Sequence, residues 1–156
     1  MKRTAFITGA TSGIGASTAR LLAKSDFNLI LVGRREEQLM DIRTELMKLG
    51  ADIYSGVLDV RDSQAVHDFI LYLPKHWQAI DVLVNNAGLA VGLDSIDHGN
   101  LEDWDRMIDT NVKGLLYVTK EVSQIMVDRQ SGHIINIGST AGTEVYANGG
   151  VYCASK

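Results

Sequence analysis

Short apolar runs alternate along the whole chain with stretches whose apolar residues recur every three or four positions. Residues 4–7 are apolar and β-prone, and residues 14–23 carry apolar side chains at helical spacing with no proline. Residues 27–32 form a continuous apolar run, the pattern of a strand buried on both faces. Over residues 36–49, Leu39, Ile42, Leu46 and Leu49 fall on one helical face, and Gly50 stops the helix. Residues 52–58 read as a third strand and 62–73 as a helix, with Val66, Phe69, Ile70 and Leu73 on one side and Pro74 behind it. Residues 80–84 read as a fourth strand. Residues 101–128 read as one long helix with Asn100 at its N-cap and Trp104, Ile108, Leu115, Val118, Val122 and Ile125 among its apolar positions. Residues 133–137 read as a fifth strand; a loop over 138–149 then leads into a helix that runs to Lys156.

Strands separated by helices require right-handed crossovers and therefore a parallel sheet. The expectation is an α/β, doubly wound architecture with helices on both faces, strands in the spatial order 3-2-1-4-5, and one domain over residues 1–156. In such sheets ligands bind beyond the carboxyl ends of the strands. Size and composition fit this picture: 156 residues, 46% of them hydrophobic and 22% charged, suffice for one packed core. The net charge of −4 gives no general attraction to nucleic acid or to anionic membranes. Met1-Lys2-Arg3 leads straight into a strand, without the apolar run of a secretory signal, and no run approaches the roughly 20 residues of a membrane span. The one cysteine, Cys153, can form no internal disulfide, and no metal site is expected. These features point to a soluble, cytoplasmic protein.

The first strand and helix are joined by Thr8-Gly9-Ala10-Thr11-Ser12-Gly13-Ile14-Gly15. Three glycines let the backbone turn tightly and approach a ligand. The helix behind them directs its free N–H groups and positive dipole end at that point, which suits a pyrophosphate. The glycines alone would equally fit an ordinary turn, and their spacing differs from G-x-G-x-x-G. The second strand ends Leu31-Val32-Gly33-Arg34-Arg35, with glycine where a ribose-binding carboxylate would stand about 20 residues beyond the loop. A guanidinium binds a 2′-phosphate through charge-assisted hydrogen bonds, so NADP is expected over NAD, with Arg34 the first candidate and Arg35 the second. Mere solvation of a helix start by these cations would be electrostatically unfavourable. At the end of the third strand, Asp59, followed by Val60, is placed to accept from an adenine amino group or to act as a turn or cap residue. In Asn85-Asn86-Ala87-Gly88 the small residues admit a nucleoside, and the asparagines can tie strand ends together.

Tyr152 and Lys156 are four apart and share a helix face. A phenol ordinarily titrates near 10; a neighbouring ammonium favours the phenolate and brings proton exchange toward neutral pH. Alone, such a pair is common on helix surfaces. Ser139 follows the fifth strand, where a hydroxyl can bond a carbonyl or alcohol oxygen or simply shape a turn. Asn111 lies inside the long helical stretch, where asparagine is disfavoured, at a kink, an exposed position or a functional one.

Taken together, Asn111, Ser139, Tyr152 and Lys156, with T-G-x-x-x-G-x-G at 8–15 and N-N-A-G at 85–88, resemble the short-chain dehydrogenase/reductase family in order and spacing. The resemblance implies a Rossmann-like fold that binds NADP(H) through Gly9, Thr11, Ser12, Gly13, Ile14, Gly15, Arg34, Arg35, Asp59, Val60, Asn86, Ala87, Gly88, Tyr152 and Lys156. It implies hydride transfer between nicotinamide and an alcohol or carbonyl substrate. Tyr152 would then be the general acid or base, Ser139 would hold the substrate oxygen, Lys156 would assist the tyrosine and bind the nicotinamide ribose, and Asn111 would hold a water. The stretches 73–77, 85–90, 109–111 and 134–142 look most like NADP-dependent 3-hydroxy acid (serine/allo-threonine) dehydrogenases, with 3-oxoacyl-thioester reductases as the rival class. Gly92, Thr140, Ala141 and Tyr146 would line the substrate side. A nucleotide-binding module without turnover is the reading from another class. Family members continue past the Y-x-x-x-K helix, so the chain is expected to lack the C-terminal part of the domain and to hold Lys156 poorly; were the natural protein to end there, an exposed apolar sheet edge and weak or absent activity would be expected. By analogy, a homodimer or homotetramer is expected.

Overall fold

The computed structural model describes residues 2–156. Five strands, β1 (Arg3–Thr8), β2 (Phe27–Gly33), β3 (Ile53–Val57), β4 (Ile80–Asn85) and β5 (His133–Asn136), form one parallel sheet in the order β3-β2-β1-β4-β5. Between them run α1 (Gly13–Lys24), α2 (Glu36–Met47), α3 (Ser63–Leu71), α4 (Leu101–Ile108) and α5 (Leu115–Asp128), and α6 (Gly150–Ala154) follows β5. The order of strands is the one the alternation predicts.

Side-chain parity divides the core into two layers. On one face Ala5, Ile7, Leu29 and Leu31 pack against Ala16, Ala19 and Ala23 of α1 and Leu39, Ile42 and Leu46 of α2. On the other, Phe6, Ile30 and Val32 pack against Val66 and Ile70 of α3 and Val118, Val122 and Met126 of α5. The alanines of α1 let it lie close to the sheet, which sets the position of the turn that precedes it. Ile80 and Leu83 share a core layer although three residues apart, because β4 carries an irregularity where Thr4 pairs with Ile80 and Ala5 with Val82. Asp81 stabilises it by accepting from the Thr4 N–H at 2.8 Å and from Arg129 Nη2 at 2.9 Å.

Three of the elements that differ from their sequence expectation lie before β5. The helix α2 stops at Met47, Gly50 takes φ +81°, and Leu49 is exposed rather than part of the apolar face. The helix α3 is shorter at both ends, because Asp62 is its N-cap, accepting from the N–H groups of Gln64 and Ala65. The stretch 101–128 is not one regular helix: α4 and α5 are joined by a π-helical segment, Asp109–Gly114. Such widened turns are rare and concentrate at functional positions, and this one carries Asn111. The strand β5 has one neighbour, and its Ile134 and Ile135 are exposed. Among the described residues no helix is long and apolar enough to cross a membrane.

Candidate functional site

The turns after β1 and β4 are clamped together at the carboxyl edge of the sheet. Thr8 Oγ1 accepts from the N–H groups of Asn86 at 3.0 Å and Ala87 at 2.9 Å. Asn86 Nδ2 returns the bond by donating to the carbonyls of Thr8 at 2.9 Å and Gly9 at 3.0 Å. Asn85 Nδ2 extends the clamp to Thr119 Oγ1 and Asn136 Oδ1 at 2.8 and 2.9 Å. This close fit explains two of the glycines. A Cβ on Gly9, which has φ +63°, would lie 2.9 Å from Ala87 Cα, and one on Gly15 would run into Asn86 Nδ2 and the Gly9 carbonyl. Gly15→Ala should therefore force the clamp apart and cost about 1–3 kcal/mol in urea unfolding; an unchanged midpoint would show that the turn can yield.

Gly13 serves differently. Its φ is +54°, and nothing lies within 4 Å of where a Cβ would sit, so the turn is open on its outer side. There α1 begins without a side-chain hydrogen bond from its N-cap Ser12 and without an acidic residue in its first turn. By contrast, Asp62 and Asn100 cap α3 and α4. The N–H groups at the start of α1 are thus left for an anion.

Around this opening lies a cleft of about 550 Å³. Its walls include Gly9, Thr11, Ser12, Gly13, Ile14, Arg34, Arg35, Asp59, Val60, Asn86, Ala87, Gly88, Tyr152 and Lys156. The structure thus brings together every expected cofactor residue except Gly15, which lies behind the turn. Arg35 Nη2 donates to Thr11 Oγ1 at 3.0 Å and Ser12 Oγ at 2.8 Å, linking the end of β2 to the glycine turn. Arg34 is exposed on the same wall. A Cβ at Gly33 would stand 2.8 Å from Thr11 Cγ2, so a carboxylate at that place would have to displace the Thr11 side chain. Asp59 is bound by Arg61, through Nε at 3.0 Å from both carboxylate oxygens and Nη2 at 2.6 Å from Oδ2. The Arg61 side chain accordingly holds the Asp59 carboxyl below its ordinary range, against the opposing effect of burial.

At the other end of the cleft, Asn111 is buried with its side chain committed to protein partners. Its Oδ1 accepts from the Leu89 N–H at 2.9 Å, and its Nδ2 donates to the Leu89 carbonyl and to Ser155 Oγ, each at 2.8 Å. Ser155 Oγ in turn donates to the Tyr152 carbonyl at 2.8 Å. Asn111 therefore ties the π segment, the stretch after Gly88 and the Tyr152 helix to one another. The last helix, α6, ends at Ala154 rather than running to Lys156; the Lys156 side chain is nevertheless held, against expectation, its Nζ donating to the Ile137 carbonyl at 2.8 Å and lying near Gly88. Ser139 stands apart from the walls of the cleft. It caps the short 3-10 turn Thr140–Gly142, its Oγ accepting from the Ala141 N–H at 3.2 Å.

A second cleft, of about 310 Å³, shares Tyr152 with the first. Gly92 and Tyr146 line it as expected for the substrate side, together with Asp94, Asp103, Trp104 and Met107; Thr140 and Ala141 do not. Several lining or supporting residues escaped the sequence reading. The Leu89 backbone, Thr110 and the Ile137 carbonyl take part through main chain or packing and leave no residue-type signal. Arg61 had one, as a cation two residues from Asp59.

Comparison with known proteins follows the same lines. A sequence model described as short chain dehydrogenase matches residues 3–156. The chain is 49% identical over 151 residues to the NADP-dependent 3-hydroxy acid dehydrogenase YdfG of Salmonella typhi, covering 97% of this chain and 60% of that protein. It is 45% identical over 152 residues to sulfoacetaldehyde reductase 2 of Chromohalobacter salexigens, again 97% of this chain and 60% of that one. Among solved structures, the closed form of a serine dehydrogenase complexed with NADP+ superposes with a TM-score of 0.93 at 46% identity, over 98% of this chain and 60% of that chain. The chain thus spans 60% of the length of these relatives.

Proposed function

The chain belongs to the short chain dehydrogenase family, and from that premise we propose that it binds NADP(H) and belongs to an oxidoreductase that interconverts an alcohol and a carbonyl, with a small 3-hydroxy acid or 3-oxo acid as substrate. The observation that carries this reading is that an open helix N-terminus, two arginines and a Tyr152–Lys156 pair line a single cleft. The relatives named for NADP and for 3-hydroxy acid or serine dehydrogenation support the cofactor and the substrate class.

The fit of residues to cofactor is good. The free N–H groups of α1 and Gly13 suit the pyrophosphate, Arg34 and Arg35 the 2′-phosphate, Asp59 and Val60 the adenine, and Asn86, Ala87 and Gly88 the adenosine ribose. Tyr152 and Lys156 suit the nicotinamide riboside. Bound there, the nicotinamide supplies or accepts the hydride. In reduction Tyr152 donates its phenolic proton to the carbonyl oxygen as that oxygen becomes an alcohol; in oxidation it takes the proton back. Lys156, fixed through Ile137, places an ammonium that can bond the ribose hydroxyls. Ser139 lines neither cleft; the resemblance assigns it the substrate oxygen, and the hydroxyl hydrogen not used in the bond it accepts from Ala141 is what it has to offer such an oxygen. Asn111 contributes by holding the Leu89 and Ser155 sides of the site in place; the water assigned to it would be met at the lone pair of Oδ1 left over from its bond to Leu89.

Incubation with NADPH and a panel of aldehydes, malonic semialdehyde and an acyl thioester tests the activity, with serine and 3-hydroxypropionate for the reverse direction. NADPH consumption with the small 3-oxo acids is expected. Consumption with the thioester alone would assign the rival substrate class, and binding without consumption would leave a nucleotide-binding module. The cofactor half has a separate test. Arg34→Glu should lower the preference for NADPH over NADH by about 10- to 100-fold, the value of one charge-assisted hydrogen bond; Arg35→Glu should do so while also freeing Thr11 and Ser12. An unchanged preference in both variants would exclude these arginines from phosphate recognition. The same proposal extends to a homodimer or homotetramer in the cytoplasm, supported by the exposed Leu116 and Val127 on α5 and by a single, buried, unpaired cysteine.

A further inference from the structure

We propose that Thr11 is a positioning residue that couples the side chain allowed at the end of β2 to the aim of Arg35, so that a bare position 33 is a condition for recognising the cofactor's 2′-phosphate. The inference deepens the NADP(H) reading above and rests on it. Arg35 Nη2 donates to Thr11 Oγ1 at 3.0 Å and to Ser12 Oγ at 2.8 Å. A guanidinium carries five N–H groups in a rigid fork. The two on Nη2 fix its plane against the glycine turn, and the three on Nε and Nη1 are left for an anion.

The same threonine meets Gly33 with its other branch. A Cβ at Gly33 would stand 2.8 Å from Thr11 Cγ2 but 3.6 Å from Oγ1, so the methyl, not the hydroxyl, fills the place. Gly33 needs no glycine for its own conformation: it pairs with Val57 in the β2–β3 ladder and does not take a positive φ. Nor is the backbone free to draw apart. The Ala10 N–H donates to the Val32 carbonyl at 3.1 Å, and the Leu58 N–H to the Gly33 carbonyl at 3.0 Å. Room for a side chain at position 33 therefore has to come from rotation of Thr11. Its methyl and hydroxyl sit on one carbon and turn together between staggered rotamers. A methyl that gives way takes Oγ1 off Arg35. Any side chain at position 33, charged or not, thus breaks one of the two bonds that hold the arginine.

The test reads the ratio of NADPH to NADH affinity by fluorescence titration, for the protein, for Gly33→Ala and Thr11→Val, and for Gly33→Ala combined with Thr11→Val or with Thr11→Ser. Gly33→Ala adds no charge, yet it should lower the ratio about 5-fold or more, part of the roughly 10- to 100-fold that a hydrogen bond to a charged group is worth. Serine keeps the hydroxyl and lacks the methyl. Thr11→Ser with Gly33→Ala should therefore return the ratio to within about 2-fold of the original, the margin within which independent effects add. Valine keeps the bulk and lacks the hydroxyl, so Thr11→Val should lower the ratio by itself, and Gly33→Ala should then lower it no further. An unchanged ratio in Gly33→Ala, an equal loss of affinity for both cofactors, or a ratio that Thr11→Ser does not restore would overturn the inference. Binding of neither cofactor by the unaltered protein, or a ratio near unity in it, would instead overturn the NADP(H) reading. Should Gly33→Ala alone fail to fold, its combination with Thr11→Ser decides, by folding with the original ratio or by failing to.

Discussion

Replacing Tyr152 by phenylalanine should reduce turnover of the oxidoreductase by about 10²- to 10⁴-fold, the usual contribution of a positioned general acid or base, while leaving NADPH affinity within a few-fold of its original value. The reason lies in what the phenol does and does not hold. Tyr152 lines both clefts, the one proposed for the dinucleotide and the one proposed for the substrate. The described contacts of the α6 region run through other atoms: the Tyr152 carbonyl accepts from Ser155 Oγ, and Lys156 Nζ is anchored on Ile137. Removing the hydroxyl deletes the proton donor and leaves this scaffold in place. Stopped-flow titration for affinity and steady-state rates for turnover separate the two quantities. A variant that retains a tenth or more of the original rate would assign the proton to another group.

The second large effect is one of stability. Asn111→Ala removes one acceptor and two donations at once, and leaves the Leu89 N–H, the Leu89 carbonyl and Ser155 Oγ with a lost partner each. Ser155 keeps its bond to Tyr152, so the cost falls mainly on the Leu89 main chain. A buried group left unpaired costs about 1–3 kcal/mol, and the part-buried Leu89 groups less, so the variant should lose about 2–3 kcal/mol, read as a fall of roughly 5–12 °C in melting temperature. Exchange of the Leu89 amide should accelerate with it. A melting temperature within 2 °C of the original, about the shift of 1 kcal/mol or less, would mean that water replaces the asparagine, and that the π segment is held by something else.

The two effects show why parts of this molecule can be read from its letters and others cannot. The alternation of Ala5, Phe6 and Ile7, and of Leu29, Ile30 and Leu31, between two helical layers is a period-two pattern, and period determines which layer each side chain enters. The glycine turn is legible for the same kind of reason: a positive φ at Gly9 and Gly13, and the lack of room for a Cβ at Gly15, are properties of residue type. The π segment is not, because an α-helical pattern around Asn111 gives no sign that the ladder widens to let one side chain reach Leu89 and Ser155. The role of Arg35 depends on partners 23 and 24 residues away, which composition at its own position does not reveal. Ser139 illustrates the opposite case. Its place after β5 is as expected, yet its hydroxyl is engaged in a turn that lines neither cleft, a detail fixed by main-chain geometry rather than by spacing.

The central claim is spatial: one dinucleotide lies along one cleft, with its phosphates at the start of α1 and its redox end at Tyr152. A crystal structure with NADP+ tests it most directly. The account predicts the pyrophosphate over Gly13, the 2′-phosphate against Arg34 and Arg35, and the nicotinamide ring beside Tyr152 and Lys156. Density for the cofactor in any other place, or a 2′-phosphate pointing away from both arginines, would contradict it.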